Sequence, residues 1–215
     1  MFQMTPTDLN PSPDAFVFSD AGIHVRRLLF ARRVSKAIEL IEATPFFNKY
    51  ELSIFLLLTL EKYSFQKGCE MAKALQEKGL DLFCPLMDSH GEITDFFNVY
   101  IHDCRDLDPP IFQKHLHLFS ELGLDISKQD FPYILNYAIS CSNFAATQWI
   151  LEQEVDLETT SSKWSQPFRE VWDGHQCANL PRWKALLERY EVHLQQQQLH
   201  KTLPEGRPVA CKPKL

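Results

Sequence analysis

Apolar residues follow helical spacing along most of this chain. Between Gly22 and Ile41 they recur roughly every three or four positions, which predicts an amphipathic helical segment. Pro45 ends that segment, because proline cannot continue a helix and restricts the backbone of the residue before it. Further along, the same spacing predicts four helix pairs, at 51–63 with 66–78, 93–104 with 110–122, 132–141 with 143–153, and 166–176 with 181–190.

A short sequence pattern closes the second helix of three of these pairs. Gly79, Gly123 and Glu154 are each followed by an apolar residue, an aspartate and another apolar residue. Units of this size cannot each bury a core of their own, so we expect them to stack on one another. The recurring aspartates predict a shared turn role, in which a short carboxylate accepts backbone N–H groups, rather than acid–base chemistry. They are Asp81, Asp125 and Asp156.

The repeated unit resembles the ankyrin repeat, in which a turn and two antiparallel helices end in an apolar step that contains glycine. The resemblance covers about 51–194 and is best in the second helices. The Thr-Pro-Leu-His opening of that family is absent, since the corresponding positions read Leu-Ser-Ile-Phe at 52–55, Ile-Thr-Asp-Phe at 93–96 and Phe-Pro-Tyr-Ile at 131–134. The resemblance implies an all-α, ankyrin-like solenoid of antiparallel helix pairs with about four to five degenerate repeats. A generic solenoid of helix pairs is the alternative fold.

This interpretation divides the chain into four parts. Residues 1–20 form an extended lead-in that contains three prolines, and residues 21–50 form a helical cap with one polar face. The repeat array covers 51–194, with 103–110 as an inserted loop, and a flexible tail covers 195–215. Glutamines at 195–198 could prolong the last helix into that tail.

Charge and cysteine content narrow the class of protein. A net charge of -6 and a pI of about 5.7 disfavour nucleic acid as a partner, because phosphate binding needs a concentrated cationic surface. The first helical segment carries a local basic cluster. We interpret this cluster as a solvent-exposed helix face, and an acidic docking site is the alternative interpretation. The six cysteines are scattered without a Cys-x-x-Cys pair, which favours reduced thiols in a cytoplasmic protein. Neither a signal peptide nor an apolar stretch of the ~20 residues needed to span a membrane is evident.

Candidate chemistry is sparse. His115 with His117, and His102 with Cys104, contain metal-ligand side chains, but residues two apart on a helix point in different directions. We therefore expect no metal and no cofactor. For nucleophilic catalysis, Cys141 with His102 is the best available combination, although nothing local marks either residue. A small cytosolic enzyme that uses a Cys/His site thus stays an alternative function.

The ankyrin resemblance implies protein–protein recognition on the concave side of the array, formed by inter-repeat loops and first helices. Aromatic residues would provide the anchors, and Trp164, in a polar stretch, either contacts the partner or packs on the last repeat. An acidic surface would favour a partner protein with a basic surface, and the free chain would be monomeric. The positions implied are Asp88, His90, Asn98, His102, Lys128, Gln129, Asp130, Tyr133, Asn136, Tyr137, Thr159, Ser161, Lys163 and Trp164.

Three biological roles share this physical mechanism. The chain could be a cytosolic inhibitor, such as an immunity protein that blocks a toxin enzyme. It could be a bacterial effector that is delivered into a host cell and binds a host protein. A scaffold or adaptor is the third role, and the absence of appended domains fits it less well than the first two.

Overall fold

A computed structural model describes residues 16–87, 91–153 and 168–202 of the chain. These residues form helices joined by short turns, with one two-stranded antiparallel hairpin, which confirms the all-α class. The elements are α1 (Asp20–Phe30), α2 (Val34–Ala43), α3 (Lys49–Lys62), α4 (Phe65–Glu77), β1 (Leu86–Met87), β2 (Ile93–Thr94), α5 (Phe96–Asp103), α6 (Pro109–Glu121), α7 (Phe131–Ser140), α8 (Phe144–Leu151), α9 (Phe168–Gly174) and α10 (Pro181–Thr202). Short 3-10 helices cover Ile126–Lys128 and Gln176–Asn179.

The helices pack in two rows. In one row α1, α3, α5, α7 and α9 contact one another in succession, and in the other α2, α4, α6, α8 and α10 do the same. The rows are joined within pairs, as between α1 and α2, α3 and α4, and α7 and α8. Aromatic contacts join α5 to α6, with the ring centroid of Phe119 5.1 Å from that of Phe96 and 4.7 Å from that of Tyr100. The core therefore lies between the rows along their whole described length.

Glycine ends two of the second helices, as the sequence pattern predicts. Gly79 follows α4 with φ +86° and Gly123 follows α6 with φ +93°, a backbone region in which side chains with a Cβ are strained. Beyond Gly79, the N–H of Leu80 donates to the carbonyl of Leu75 at 3.0 Å, and an equivalent bond follows Gly123. This is the Schellman arrangement, which satisfies carbonyls at the helix end and reverses the chain.

The aspartates after these glycines act in turns, which confirms the predicted role for two of the three. Asp81 Oδ1 accepts a hydrogen bond from the N–H of Phe83 at 3.0 Å. Asp125 Oδ1 accepts one from the N–H of Ser127 at 3.2 Å. Both are bonds from a residue two positions on, which close a local turn. Asp156 lies outside the described residues.

Some boundaries differ from the sequence prediction. The predicted single helical segment from 22 to 41 is two helices, because α1 ends at Phe30 and Arg32 adopts a left-handed φ of 58°. The segment at 93–94 is strand β2, so the first helix of that pair begins only at Phe96. Helix α10 continues through Thr202, well past the predicted end of the array at 194. The lead-in at 1–15 and the tail at 203–215 lie outside the described residues.

Candidate functional site

Two loops between helix pairs lie side by side. The first joins α2 to α3, and the second leaves α4 towards β1. Lys49 Nζ at the start of α3 forms a 2.8 Å ion pair with Asp81 Oδ2 of the second loop, and this hydrogen bond raises the pKa of Lys49. Lys78 Nζ donates to the carbonyls of Glu42 at 2.9 Å and Thr44 at 2.8 Å. These three interactions hold the loops in a defined relative position.

The same loops expose large apolar side chains. Phe46 in the first loop is 76% exposed, and Phe83 in the second is 63% exposed. Their chain neighbours Phe47 and Leu82 are buried, so each loop directs one apolar side chain inward and one outward. Ile93 in β2 is exposed as well. We call the surface made by Phe46, Lys49, Asp81 and Phe83 the loop edge.

The sequence prediction missed the loop edge. Phe46 and Phe83 sit in short apolar runs beside residues that belong to the core, and periodicity in so short a segment does not show which member faces solvent. The available signal was the turn chemistry around them. Pro45 precedes Phe46, and the N–H of Phe83 donates to Asp81 Oδ1, so both phenylalanines lie in loops between helices, which run over the protein surface.

The predicted first-helix residues have mixed environments. Asn98 and Asn136 are each only 3% exposed, so a partner protein cannot reach their side chains in this structure. Tyr133 and Tyr137 are half-buried on α7 and stack with ring centroids 6.0 Å apart. His102 is half-buried on α5, with Nδ1 2.9 Å from Asp103 Oδ1. The tyrosine pair and His102 stay accessible in part, whereas the two asparagines are structural.

The predicted loop residues at 128–130 lie between α6 and α7. Lys128 Nζ is 2.7 Å from Asp125 Oδ2, and this hydrogen bond lowers the pKa of Asp125. Asp130 caps α7, with Oδ1 accepting a hydrogen bond from the N–H of Tyr133 at 3.2 Å. Gln129 lies between them and is half-buried. The remaining predicted positions lie outside the described residues: Asp88, His90, Thr159, Ser161, Lys163 and Trp164.

The histidines considered as metal ligands point apart, as predicted. His115 is buried, with Nδ1 3.0 Å from the Tyr100 hydroxyl, while His117 is exposed on the same helix. His102 is half-buried, whereas Cys104 is buried in the core. Across the described ranges, no three His, Cys, Asp or Glu side chains lie close enough together to hold a metal ion.

Among the described residues the thiol of Cys177 contacts a histidine, whereas the sequence prediction named Cys141. Cys177 Sγ lies 2.9 Å from His175 Nδ1, and His175 Nε2 lies 3.2 Å from the carbonyl of Ser140. Because His175 Nδ1 also accepts the backbone N–H of Cys177, the imidazole proton is on Nε2 and is donated to Ser140. In the described part of the chain Cys141 Sγ lies 4.0 Å from Ser140 Oγ, and no hydrogen bond joins it to His102.

A cavity of about 470 Å³ adjoins this thiol, between the turns that follow α5, α7 and α9. Arg105, Arg182, Phe144 and Trp183 contribute to its walls. Only 4% of Cys177 is exposed, and burial raises the pKa of its thiol to about 11. A thiol with this pKa is protonated at neutral pH, so the His175 contact serves to cap the short 3-10 helix rather than to hold a thiolate.

None of the helices in the described segments combines the length and the apolar character needed to cross a bilayer.

The chain matches no protein-family model, and it shows no significant similarity to a curated protein or to a solved structure.

Proposed function

We propose that the chain is an ankyrin-like protein-interaction module, in which stacked helix pairs hold a partner-binding surface in place. Three features support this architecture. Successive helices contact one another in two rows, and left-handed glycines end α4 and α6 in the same way. The hairpin β1–β2, between the second helix of one pair and the first helix of the next, occupies the position of an ankyrin finger.

The observation that carries the proposed function is the exposure of Phe46 and Phe83 on two loops that are joined by an ion pair and by the hydrogen bonds of Lys78. Large aromatic side chains on an ordered surface are the residues from which binding hot spots are most often built. The ion pair between Lys49 and Asp81 and the hydrogen bonds of Lys78 already join the loops, which reduces the ordering that a partner must impose when it docks.

The proposed surface extends from the loop edge onto the first helices. It retains the accessible residues implied by the ankyrin resemblance, and it leaves out Asn98 and Asn136 because both are buried. The net charge of -6 favours a partner protein with a basic surface through long-range attraction. The retained residues in the described ranges are His102, Lys128, Gln129, Asp130, Tyr133 and Tyr137.

Three roles follow from such a surface: an inhibitor such as an immunity protein, an effector delivered into a host cell, and a scaffold. A cytoplasmic location fits the first and the third. No arrangement in the described residues favours the enzyme alternative, since the one thiol in contact with a histidine is protonated at neutral pH.

Affinity capture with quantitative mass spectrometry tests the proposal. Tagged wild-type protein is compared with Phe46→Ala/Phe83→Ala and with Val192→Ala, which removes a smaller exposed apolar side chain on α10. We expect proteins that bind the wild type and the Val192 variant to be recovered about tenfold less by the loop-edge variant. Equal recovery on all three proteins would contradict the proposal.

The identity of the captured proteins separates the roles. One enzyme that binds stoichiometrically and loses activity indicates an inhibitor, host proteins indicate an effector, and several components of one complex indicate a scaffold. Tyr137→Ala, measured against the recombinant partner by calorimetry, then tests whether the first helices belong to the surface.

A further inference from the structure

The first helix pair carries a concentrated basic surface. Five cationic residues lie on the C-terminal half of α1, in the turn after it and at the start of α2, and all are exposed. None of them forms an ion pair within the described part of the chain. This contrasts with the acidic balance of the chain as a whole. The five are Arg26, Arg27, Arg32, Arg33 and Lys36.

An exposed aromatic ring lies within this basic surface. Phe30 is 53% exposed at the end of α1. The guanidinium of Arg26 lies 5.5 Å from its ring centroid, and the ammonium of Lys62 on α3 lies 5.2 Å from it. Both distances are in the range of cation–π attraction, which holds the two cations beside the ring. The surface thus offers an apolar contact bordered by positive charge.

Hydrogen bonds define the turn that presents these cations. The N–H of Arg32 donates to the carbonyl of Leu29 at 3.0 Å, and the hydroxyl of Tyr63 donates to the same carbonyl at 2.5 Å. Arg32 also holds a left-handed φ of 58°, where glycine would be less strained than any residue with a Cβ. An arginine therefore occupies a position at which backbone geometry alone favours glycine.

We propose that this surface, the N-terminal basic patch formed by Phe30 and the five cations, binds an acidic segment of a partner protein. Aspartate and glutamate side chains would pair with the arginines, and an apolar side chain of the segment would pack on Phe30. Arginine suits this task because its planar guanidinium binds carboxylates through two hydrogen bonds.

The chemistry of the patch favours a peptide over a membrane or a nucleic acid. A helix that binds a bilayer buries a continuous apolar face, whereas the exposed apolar side chains of α1, Ile23 and Phe30, are two turns apart with arginines between them. A nucleic acid extends beyond a site of this size, and the remaining acidic surface would repel its phosphates.

The patch is distinct from the loop edge. Ser19 at the start of α1 is hydrogen-bonded to Glu51 in the first turn of α3, beside the loop that carries Phe46. The basic turn lies at the other end of α1, about 16 Å away for a helix of 11 residues. The two surfaces can therefore be occupied independently, and loss of one proposal leaves the other intact.

Fluorescence anisotropy with defined probes tests this inference on the full chain. The probe is a labelled synthetic peptide of aspartate, glutamate and glycine with one central phenylalanine, and a second probe carries serine in its place. The variants are Arg26→Gln/Arg27→Gln/Arg33→Gln and Phe30→Ala. The matched control is Lys73→Gln/Lys114→Gln/Lys184→Gln, which removes three exposed cations elsewhere on the chain.

We expect the arginine variant to bind the first peptide about tenfold more weakly at low salt, and the lysine control to bind it nearly as well as the wild type. The phenylalanine probe should bind the wild type better than the serine probe, and Phe30→Ala should reduce that preference, as coupled groups do in a double-mutant cycle. Undetectable peptide binding, equal weakening in the control, or stronger binding to phosphatidylserine vesicles or duplex DNA would each overturn the inference.

Discussion

The carboxylate of Glu51 connects two helices, because Oε1 accepts hydrogen bonds from both the N–H and the hydroxyl of Ser19. These bonds are 2.6 and 2.7 Å long, and they join the start of α1 to the first turn of α3. Glu51 Oε2 accepts the N–H of Asn48 at 2.9 Å, which completes the capping box of α3. Glu51 is fully buried, so its carboxylate depends on these partners to replace water.

Glu51→Gln tests the energetic importance of this contact. The amide keeps the shape of the side chain but replaces one accepting oxygen with an NH₂ donor. That donor would face N–H and O–H groups that donate to the carboxylate in the wild type. We expect the free energy of unfolding to fall by about 1–3 kcal/mol. Urea denaturation followed by circular dichroism measures the change. Glu61→Gln, at an exposed ion pair on the same helix, should change stability by less than about 1 kcal/mol; a similar loss in both variants would contradict the prediction.

Left-handed residues at helix ends give a pair of opposite predictions. Ser142, between α7 and α8, has φ 58°, so Ser142→Gly should relieve strain and raise the free energy of unfolding by about 0.5–1 kcal/mol. Gly123→Ala should lower it by about 1 kcal/mol for conformational reasons alone, because an added Cβ would meet no atom within 4 Å. Urea midpoints of the two variants check the signs, and a shift of both in one direction would refute the strain argument.

His115 predicts an acid-sensitive core. It is buried, and burial lowers its pKa from 6.5 to about 4. The unfolded chain therefore binds a proton at a higher pH than the folded chain does. The stabilising effect is complete above pH 6.5 and is lost as the pH falls towards 4, by about 3 kcal/mol in all.

The measurement is the urea midpoint as a function of pH, in the wild type and in His115→Phe/Tyr100→Phe. The double variant removes both members of the hydrogen bond and leaves no buried donor behind. Its stability should fall less steeply than that of the wild type between pH 6.5 and 4. Parallel curves would show that His115 does not titrate as its burial requires.

We expect the buried thiol of Cys177 to react slowly despite its contact with His175. Because burial raises its pKa to about 11, only a small fraction is thiolate at pH 8. Alkylation by iodoacetamide, followed by peptide mass spectrometry, should be slow at neutral pH and should still accelerate above pH 10. His175→Asn should not slow the reaction at neutral pH. Rapid labelling that this variant abolishes would instead support the enzyme alternative.

The sequence predicted most of the helices and failed at specific positions for physical reasons. Gly79 and Gly123 marked helix ends correctly because a glycine after an apolar periodic segment has few other roles. The break after α1 was missed because Arg32 adopts the left-handed backbone conformation that glycine adopts after α4 and α6. An arginine in the sequence does not indicate that conformation. Helix α10 runs beyond 194, and also beyond the glutamines at 195–198 that could prolong it, because polar residues do not stop a helix that lacks proline and glycine.

The candidate surface was harder to predict than the fold. Asn98 was expected to face a partner, but its amide donates to Asp95 Oδ2 at 2.9 Å and to Thr94 Oγ1 at 3.2 Å beside the start of α5. A polar side chain near a helix start can serve local capping or a partner, and spacing alone does not separate the two. Phe46 was overlooked because two consecutive phenylalanines suggest that both side chains are buried in the core.

The two rows of helices have a consequence for how the protein is made. The principal contacts of each helix are with helices one or two places away along the chain. Most of the core can therefore form without residues that are distant in sequence. Such local topologies form quickly, and the first four helices already pack on one another through α1–α3 and α2–α4. The N-terminal half can therefore begin to fold while the ribosome is still synthesising the rest, and the basic patch would be displayed on the nascent chain before the last helix has formed.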